Sequence, residues 1–94
     1  MSQSLEAIRQ QINALDEQLV LLLKARFALA TDAAEEKKRL DLALFDGPRE
    51  ALILESVAEK CREVGIEGTA DIESVQAVFK TLLVESKCWQ KRNV

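Results

Sequence analysis

Apolar residues recur along the first third of the chain at Leu5, Ile8, Ile12, Leu15, Leu19 and Leu22, then again at Leu29 and Ala33, in steps of three and four. That spacing is a heptad seam on one face of an α-helix, predicted to run from about Ser4 to about Leu40. Ser2 or Ser4 can cap its start with Glu6 in the first turn, and Lys37, Lys38 and Arg39 suit the negative end of the helix dipole. In the stretch DGPRE, Gly47 is placed to act as N-cap with Pro48 at the first helical position, where its missing N–H costs nothing. Leu54, Val57, Cys61 and Val64 then mark a second helix from Pro48 to Val64, with Gly65 as its terminator. IEGTAD reads as a turn with Thr69 or Asp71 as the next cap. Ile72, Val75, Phe79, Leu82 and Trp89 define a third helix reaching about Lys91. The predicted fold is all-α, one very long helix and two shorter ones, in a single domain covering residues 1–94.

The length of the first helix carries a further expectation. About 37 helical residues extend ~55 Å at 1.5 Å each, whereas a compact globule of this size has a radius of gyration near ~12 Å. The chain alone cannot wrap such a helix, so its seam calls for a second copy. An intertwined homodimeric bundle is the expected assembly, two-fold symmetry being the commonest closed solution.

Three positions interrupt the apolar stripes. Arg26 stands in the seam of the first helix, Glu50 one step before Leu54 in the second, and Ser86 between Leu82 and Trp89 in the third. A helical bundle must satisfy such residues, because an unpaired buried charge costs several kcal/mol. They can pair with one another or fix the register of the bundle, or they can line a site. Lys37 follows Arg26 by eleven residues, only ~20° of helical rotation and ~16 Å of rise, so both cations project from one face. Asp46 precedes Glu50 by four residues, Arg49 adjoins it, and Gln90 lies one turn beyond Ser86. Arg9 is ~25 Å from Arg26 along the same helix and ~100° around it. Two first helices paired antiparallel about a point near Glu17 would bring residue 9 of one opposite residue 26 of the other.

Composition narrows the chemistry. The chain is 48% hydrophobic and 31% charged, with three Phe, one Trp, no Tyr, three Gly and one Pro, which favours helices over strands. Its formal charge of −3 argues against binding nucleic acid or an anionic membrane, so an anionic ligand must meet a local cluster of cations. With no histidine, and with Cys61 and Cys88 far apart outside any CxxC spacing, neither a transition-metal site nor a disulfide framework is expected, and both thiols read as reduced. Cys61 fits the second stripe as a small apolar residue, and Trp89 reads as packing rather than a ligand contact. No signal peptide and no membrane span are recognisable, so the expected location is the cytoplasm.

The opening LEAIRQQINALDEQLVLLLKAR, with its early Arg, its Leu-Asp pair, its run of Leu and its second Arg, resembles the first helix of the all-helical, AroQ-class chorismate mutases. Lys37, Asp46, the Arg49-Glu50 pair, Phe79, Ser86 and Gln90 follow at that family's spacings, so the likeness covers almost the whole chain. It implies a Claisen rearrangement of chorismate to prephenate in the biosynthesis of aromatic amino acids, with no cofactor. By carry-over, Arg26 and Arg9 of the partner subunit hold substrate carboxylates. Lys37 binds a carboxylate and the ether oxygen, and Gln90 is the second donor to that oxygen. Ser86 and Arg49 line the carboxylate side, and Asp46 with Glu50 recognises the ring hydroxyl. Alternatives of the same fold are an isochorismate pyruvate lyase or an aminodeoxychorismate mutase, and outside catalysis a dimeric regulatory module. The Asp46–Glu50 pair favours the mutase over the lyase, whose substrate carries its hydroxyl elsewhere on the ring. Gly47-Pro48, a longer IEGTAD turn and the polar Thr31 and Asp32 depart from the family's pattern.

Overall fold

A computed structural model describes residues 3–93 as three helices, α1 (Leu5–Arg39), α2 (Gly47–Glu63) and α3 (Thr69–Asn93). Ser4 caps α1, its hydroxyl accepting from the Ala7 N–H at 3.1 Å. Ser2, the other candidate cap, lies outside the described residues. The end of α1 closes on itself. The Leu42 N–H donates to the Lys37 carbonyl at 2.8 Å and the Asp41 N–H to the Lys38 carbonyl at 3.2 Å, with Asp41 in the left-handed region at φ 56°. This is a Schellman closure in which an aspartate takes the position glycine usually fills. The same closure ends α2, where Ile66 donates to Cys61 at 2.8 Å and Gly65, φ 90°, donates to Arg62 at 3.1 Å.

The start of α2 differs from the sequence expectation by one residue. Asp46 is the N-cap, its Oδ1 accepting from the Arg49 N–H at 3.0 Å, and Gly47 and Pro48 are the first two helical residues. A carboxylate can accept an orphan amide at the positive end of the dipole and glycine cannot, which explains the choice. At α3 neither Thr69 nor Asp71 precedes the helix. Thr69 is its first residue, the Ile72 N–H donates to the Gly68 carbonyl at 2.9 Å, and Asp71 stands in the first turn. The helix continues past Lys91 to Asn93.

Among the described residues α3 is the element against which both others pack. Val57, Cys61 and Ile72 are buried between α2 and α3, with Ile53, Ala58, Ile66, Val75 and Phe79 packed around them. Gln76 reaches across to donate to the Leu54 carbonyl at 3.0 Å. Cys61 is a core residue and neither it nor Cys88 is in a disulfide. Trp89 is a packing residue, its ring stacked on Phe27 of α1 with centroids 5.0 Å apart and planes 11° from parallel.

Among the described residues, no other helix packs against the N-terminal half of α1. The chain measures 58 × 27 × 17 Å with a radius of gyration of 16.6 Å, well above the ~12 Å of a compact chain this long. Ile8, Ile12, Leu15, Leu19 and Leu22 are all exposed, Leu22 by 65%. No helix among the described residues is long and apolar enough to cross a membrane.

Candidate active site

The register of α1 against α3 places the first polar interruption on the third. Arg26 Nη1 donates to Ser86 Oγ at 2.9 Å, and one turn further Gln90 Nε2 donates to the Ala30 carbonyl at 2.8 Å. Both pairs are sixty residues apart, so the two helices run parallel and in step there, with the Phe27–Trp89 stack between the two bonds. Ser86 and Gln90 are buried, 8% and 9% exposed, and each is satisfied. An amide has two N–H groups and an acceptor oxygen. The bond to Ala30 anchors Gln90 and leaves a second N–H.

The same stretch of α3 forms one wall of a cleft of about 130 Å³. Lys37 lines it from α1, Leu44 and the capping Asp46 from the connection, Arg49, Glu50 and Ile53 from α2, and Ser86 and Gln90 from α3. Arg49 and Ile53 also belong to an adjoining cleft of about 270 Å³ that contains Arg26 and Phe79. Each falls below the roughly 300 Å³ at which small-molecule sites begin, and the two joined reach it. Six of the eight sequence candidates thus share one cleft. Arg26 sits next door, tied to it through Ser86. Arg9 is exposed on the bare half of α1, ~25 Å away by helical rise, and the chain does not bring it to this place. Arg26 and Lys37, which share a helical face, line the two adjoining clefts rather than one.

The charges in this region are arranged unevenly. Glu50 is paired, its Oε1 lying 2.7 Å from Lys87 Nζ, and Asp46 Oδ1 is engaged in capping α2. Lys37 Nζ donates to the Leu44 carbonyl at 3.1 Å, a neutral partner. Among the described residues no carboxylate lies within ion-pair distance of Arg26, Lys37 or Arg49. Arg26, Lys37 and Arg49, with Lys60 as a fourth, therefore line the joined clefts, none of them within ion-pair distance of a carboxylate among the described residues, in a chain whose net charge is negative. The arrangement suits a ligand with more than one carboxylate.

Lys87 was not singled out by the apolar period, since it stands beside a stripe rather than in it. Its adjacency to Ser86 was the available signal. The Leu44 carbonyl carried no signal at all, because a backbone acceptor is invisible in side-chain chemistry.

The family described as chorismate mutase type II matches residues 8–91 of the chain. The chain belongs to the chorismate mutase type II family. A protein named chorismate mutase from Methanocaldococcus jannaschii is 29% identical over 92 residues, covering 98% of this chain and 89% of that relative. No solved structure gives a significant match. Family membership accords with the three-helix, strand-free architecture of the described residues and with a cationic site at the junction of the helices.

Proposed function

We propose that the chain rearranges chorismate to prephenate, and that it does so as a homodimer whose two sites each take Arg9 from the partner subunit. The observation that carries the reading is the set of three cations, Arg26, Lys37 and Arg49, facing joined clefts with no carboxylate of the described chain paired to them. A dianion supplies the missing charge. In the reaction the ether C–O bond breaks as a C–C bond forms between the enolpyruvyl carbon and the ring, with no proton transfer and no covalent intermediate. Such a step is accelerated by holding the substrate folded in a near-attack geometry and by donors placed where negative charge gathers on the ether oxygen.

In this assignment Arg26 and Arg9 of the partner subunit hold the carboxylates, Lys37 bridges a carboxylate and the ether oxygen, and Gln90 donates its second N–H to that oxygen. Ser86 and Arg49 flank the carboxylate side. Glu50, with Asp46, accepts the ring hydroxyl, which favours the mutase over the lyase on isochorismate. Support for the dimer comes from the bare seam from Ile8 to Leu22 and from the separation between Arg9 and the site.

Incubating the purified chain with chorismate and, separately, isochorismate tests the reading. Prephenate from the first is the expected product, and salicylate with pyruvate from the second would assign the lyase instead. Because Gln90 is neutral at any ordinary pH, turnover is expected to stay nearly flat from mildly acid to mildly basic conditions. Mixing inactive Arg9→Ala with inactive Lys37→Ala subunits should restore one intact site per heterodimer. No recovery despite verified subunit exchange refutes the shared site.

A further inference from the structure

Glu50 acquires from the fold a partner that no helical period announces. It stands in the first turn of α2, and its Oε1 meets Lys87 Nζ of α3 at 2.7 Å, both side chains about two-thirds buried. The same ammonium lies 5.1 Å from the centroid of the Phe45 ring, in the connection between α1 and α2, and Lys91 Nζ lies 5.2 Å from it. A lysine is a point charge on a flexible stem. Here an aromatic face and a carboxylate together restrict it. Three segments meet at this ammonium: the connection, the first turn of α2 and the last third of α3.

A carboxylate has two oxygens that accept independently. With Oε1 held 2.7 Å from the Lys87 ammonium in a partly buried ion pair, the side chain of Glu50 has its orientation set and Oε2 is left for another donor. Glu50 lines the cleft shared with Lys37, Arg49, Ser86 and Gln90. An uncompensated glutamate there would also repel a dianion, and Lys87 offsets its charge. We propose that Lys87 is a positioning residue which, by holding Glu50 Oε1, presents Oε2 to a ring hydroxyl of the substrate and so sets the site's preference for a hydroxylated ring. The inference rests on the reading of the cleft as a chorismate site.

The probe is a bicyclic ether dicarboxylate that mimics the transition state of the rearrangement, prepared with and without its ring hydroxyl. Calorimetry gives the ratio of the two dissociation constants for the wild-type protein, Lys87→Met, Lys87→Arg, Glu50→Gln and the Lys87→Met/Glu50→Gln double variant. Helix content is checked by circular dichroism, and Lys87→Gln replaces Lys87→Met if the latter does not fold. The wild type is expected to prefer the hydroxylated mimic by ~10-fold or more, the scale of a hydrogen bond to a charged acceptor. Lys87→Met should reduce the preference to within ~2-fold of unity, Lys87→Arg should keep most of it, and the double variant should match Glu50→Gln alone. Equal weakening of both mimics by Lys87→Met, with the ratio unchanged, shows a cation acting only at a distance and overturns the proposal, as does a wild type with no preference. Turnover of chorismate by the same wild-type sample separates the two readings. A protein that fails to make prephenate but loses its hydroxyl preference in Lys87→Met refutes the activity and retains the positioning role.

Discussion

The two ends of α1 belong to one helix and differ in what covers them. From Leu5 to Leu22 its seam is aliphatic and lies open, with Leu15 58% and Leu19 55% exposed. From Arg26 to Lys37 the same helix carries two cations, and there α3 and the connection to α2 meet it through Ser86, Gln90, Trp89 and the Leu44 carbonyl. The first region presents apolar surface that the described residues leave uncovered, and covering it would gain roughly 25 cal/mol for each Å² removed from water. The second has its hydrogen bonds made and lacks only counter-charge. On the proposed reading, a helix too long for its own chain is divided between an assembly surface and a binding site, with the boundary drawn by a single arginine in the seam.

The largest effect should come from placing a charge in the open seam. Leu19→Glu is expected to convert the protein to monomer by sedimentation, because a buried unpaired carboxylate costs several kcal/mol, and to abolish turnover with it. A variant that stays dimeric would show that the seam is not the interface. A monomer with full activity would show instead that the two regions are independent. Next in size is Arg26→Ala. Loss of a positioned charge donor should lower kcat/KM by about 10²–10³-fold, while the helix content and the oligomeric state remain those of the wild type, since Arg26 lies at the boundary and not within the bare seam.

A smaller effect tests the edge of the polar region. Asp46→Ala removes the cap of α2 and should cost about 1 kcal/mol in chemical denaturation, and Asp46→Asn should restore most of it. Turnover that falls much further than stability in Asp46→Asn would add the hydroxyl role to the capping role. Smallest of all is the exposed ion pair at the far end of α1, where the Arg39 guanidinium hydrogen-bonds Glu36, Nε to Oε2 at 3.0 Å, and holds the Glu36 carboxyl below its ordinary value. A carboxyl lowered in this way contributes stability above its unfolded pKa and loses it as pH falls through the folded value. Arg39→Ala should therefore leave Tm almost unchanged at neutral pH and wholly unchanged in strong acid, as expected of a solvated pair. A large shift at neutral pH would mean that this end of α1 is covered in the assembly.

The helices were legible because burial on one face imposes a period, and Leu5 to Ala33, Leu54 to Val64 and Ile72 to Trp89 each keep theirs. The breaks in those periods were legible for the same reason. Arg26, Glu50 and Ser86 stand out only against regular neighbours, and the structure puts all three at the helix junction, with Arg26 bonded to Ser86. Asp46 and Gly47 both suit a helix start, and the bond from the Arg49 N–H to the Asp46 carboxylate settles the cap on Asp46, the residue whose side chain can accept. The Leu44 carbonyl was beyond reach, and for Lys87 only its place beside Ser86 was legible, not its pairing with Glu50. A contact between residues 37 apart, or with a backbone atom, leaves no trace in the order of side chains.

What the sequence by itself determined is the set of helices, the excess length of the first and the residue types available where the stripes break, since each follows from local periodicity and chain length. Only the tertiary structure decided which of those residues meet. The parallel step of sixty residues between α1 and α3 brings Arg26 to Ser86 and Gln90 to Ala30, and the antiparallel return of α2 brings Glu50 to Lys87. That register is set by packing of large side chains such as Phe27 on Trp89, a choice among alternatives that each helix alone leaves equally open.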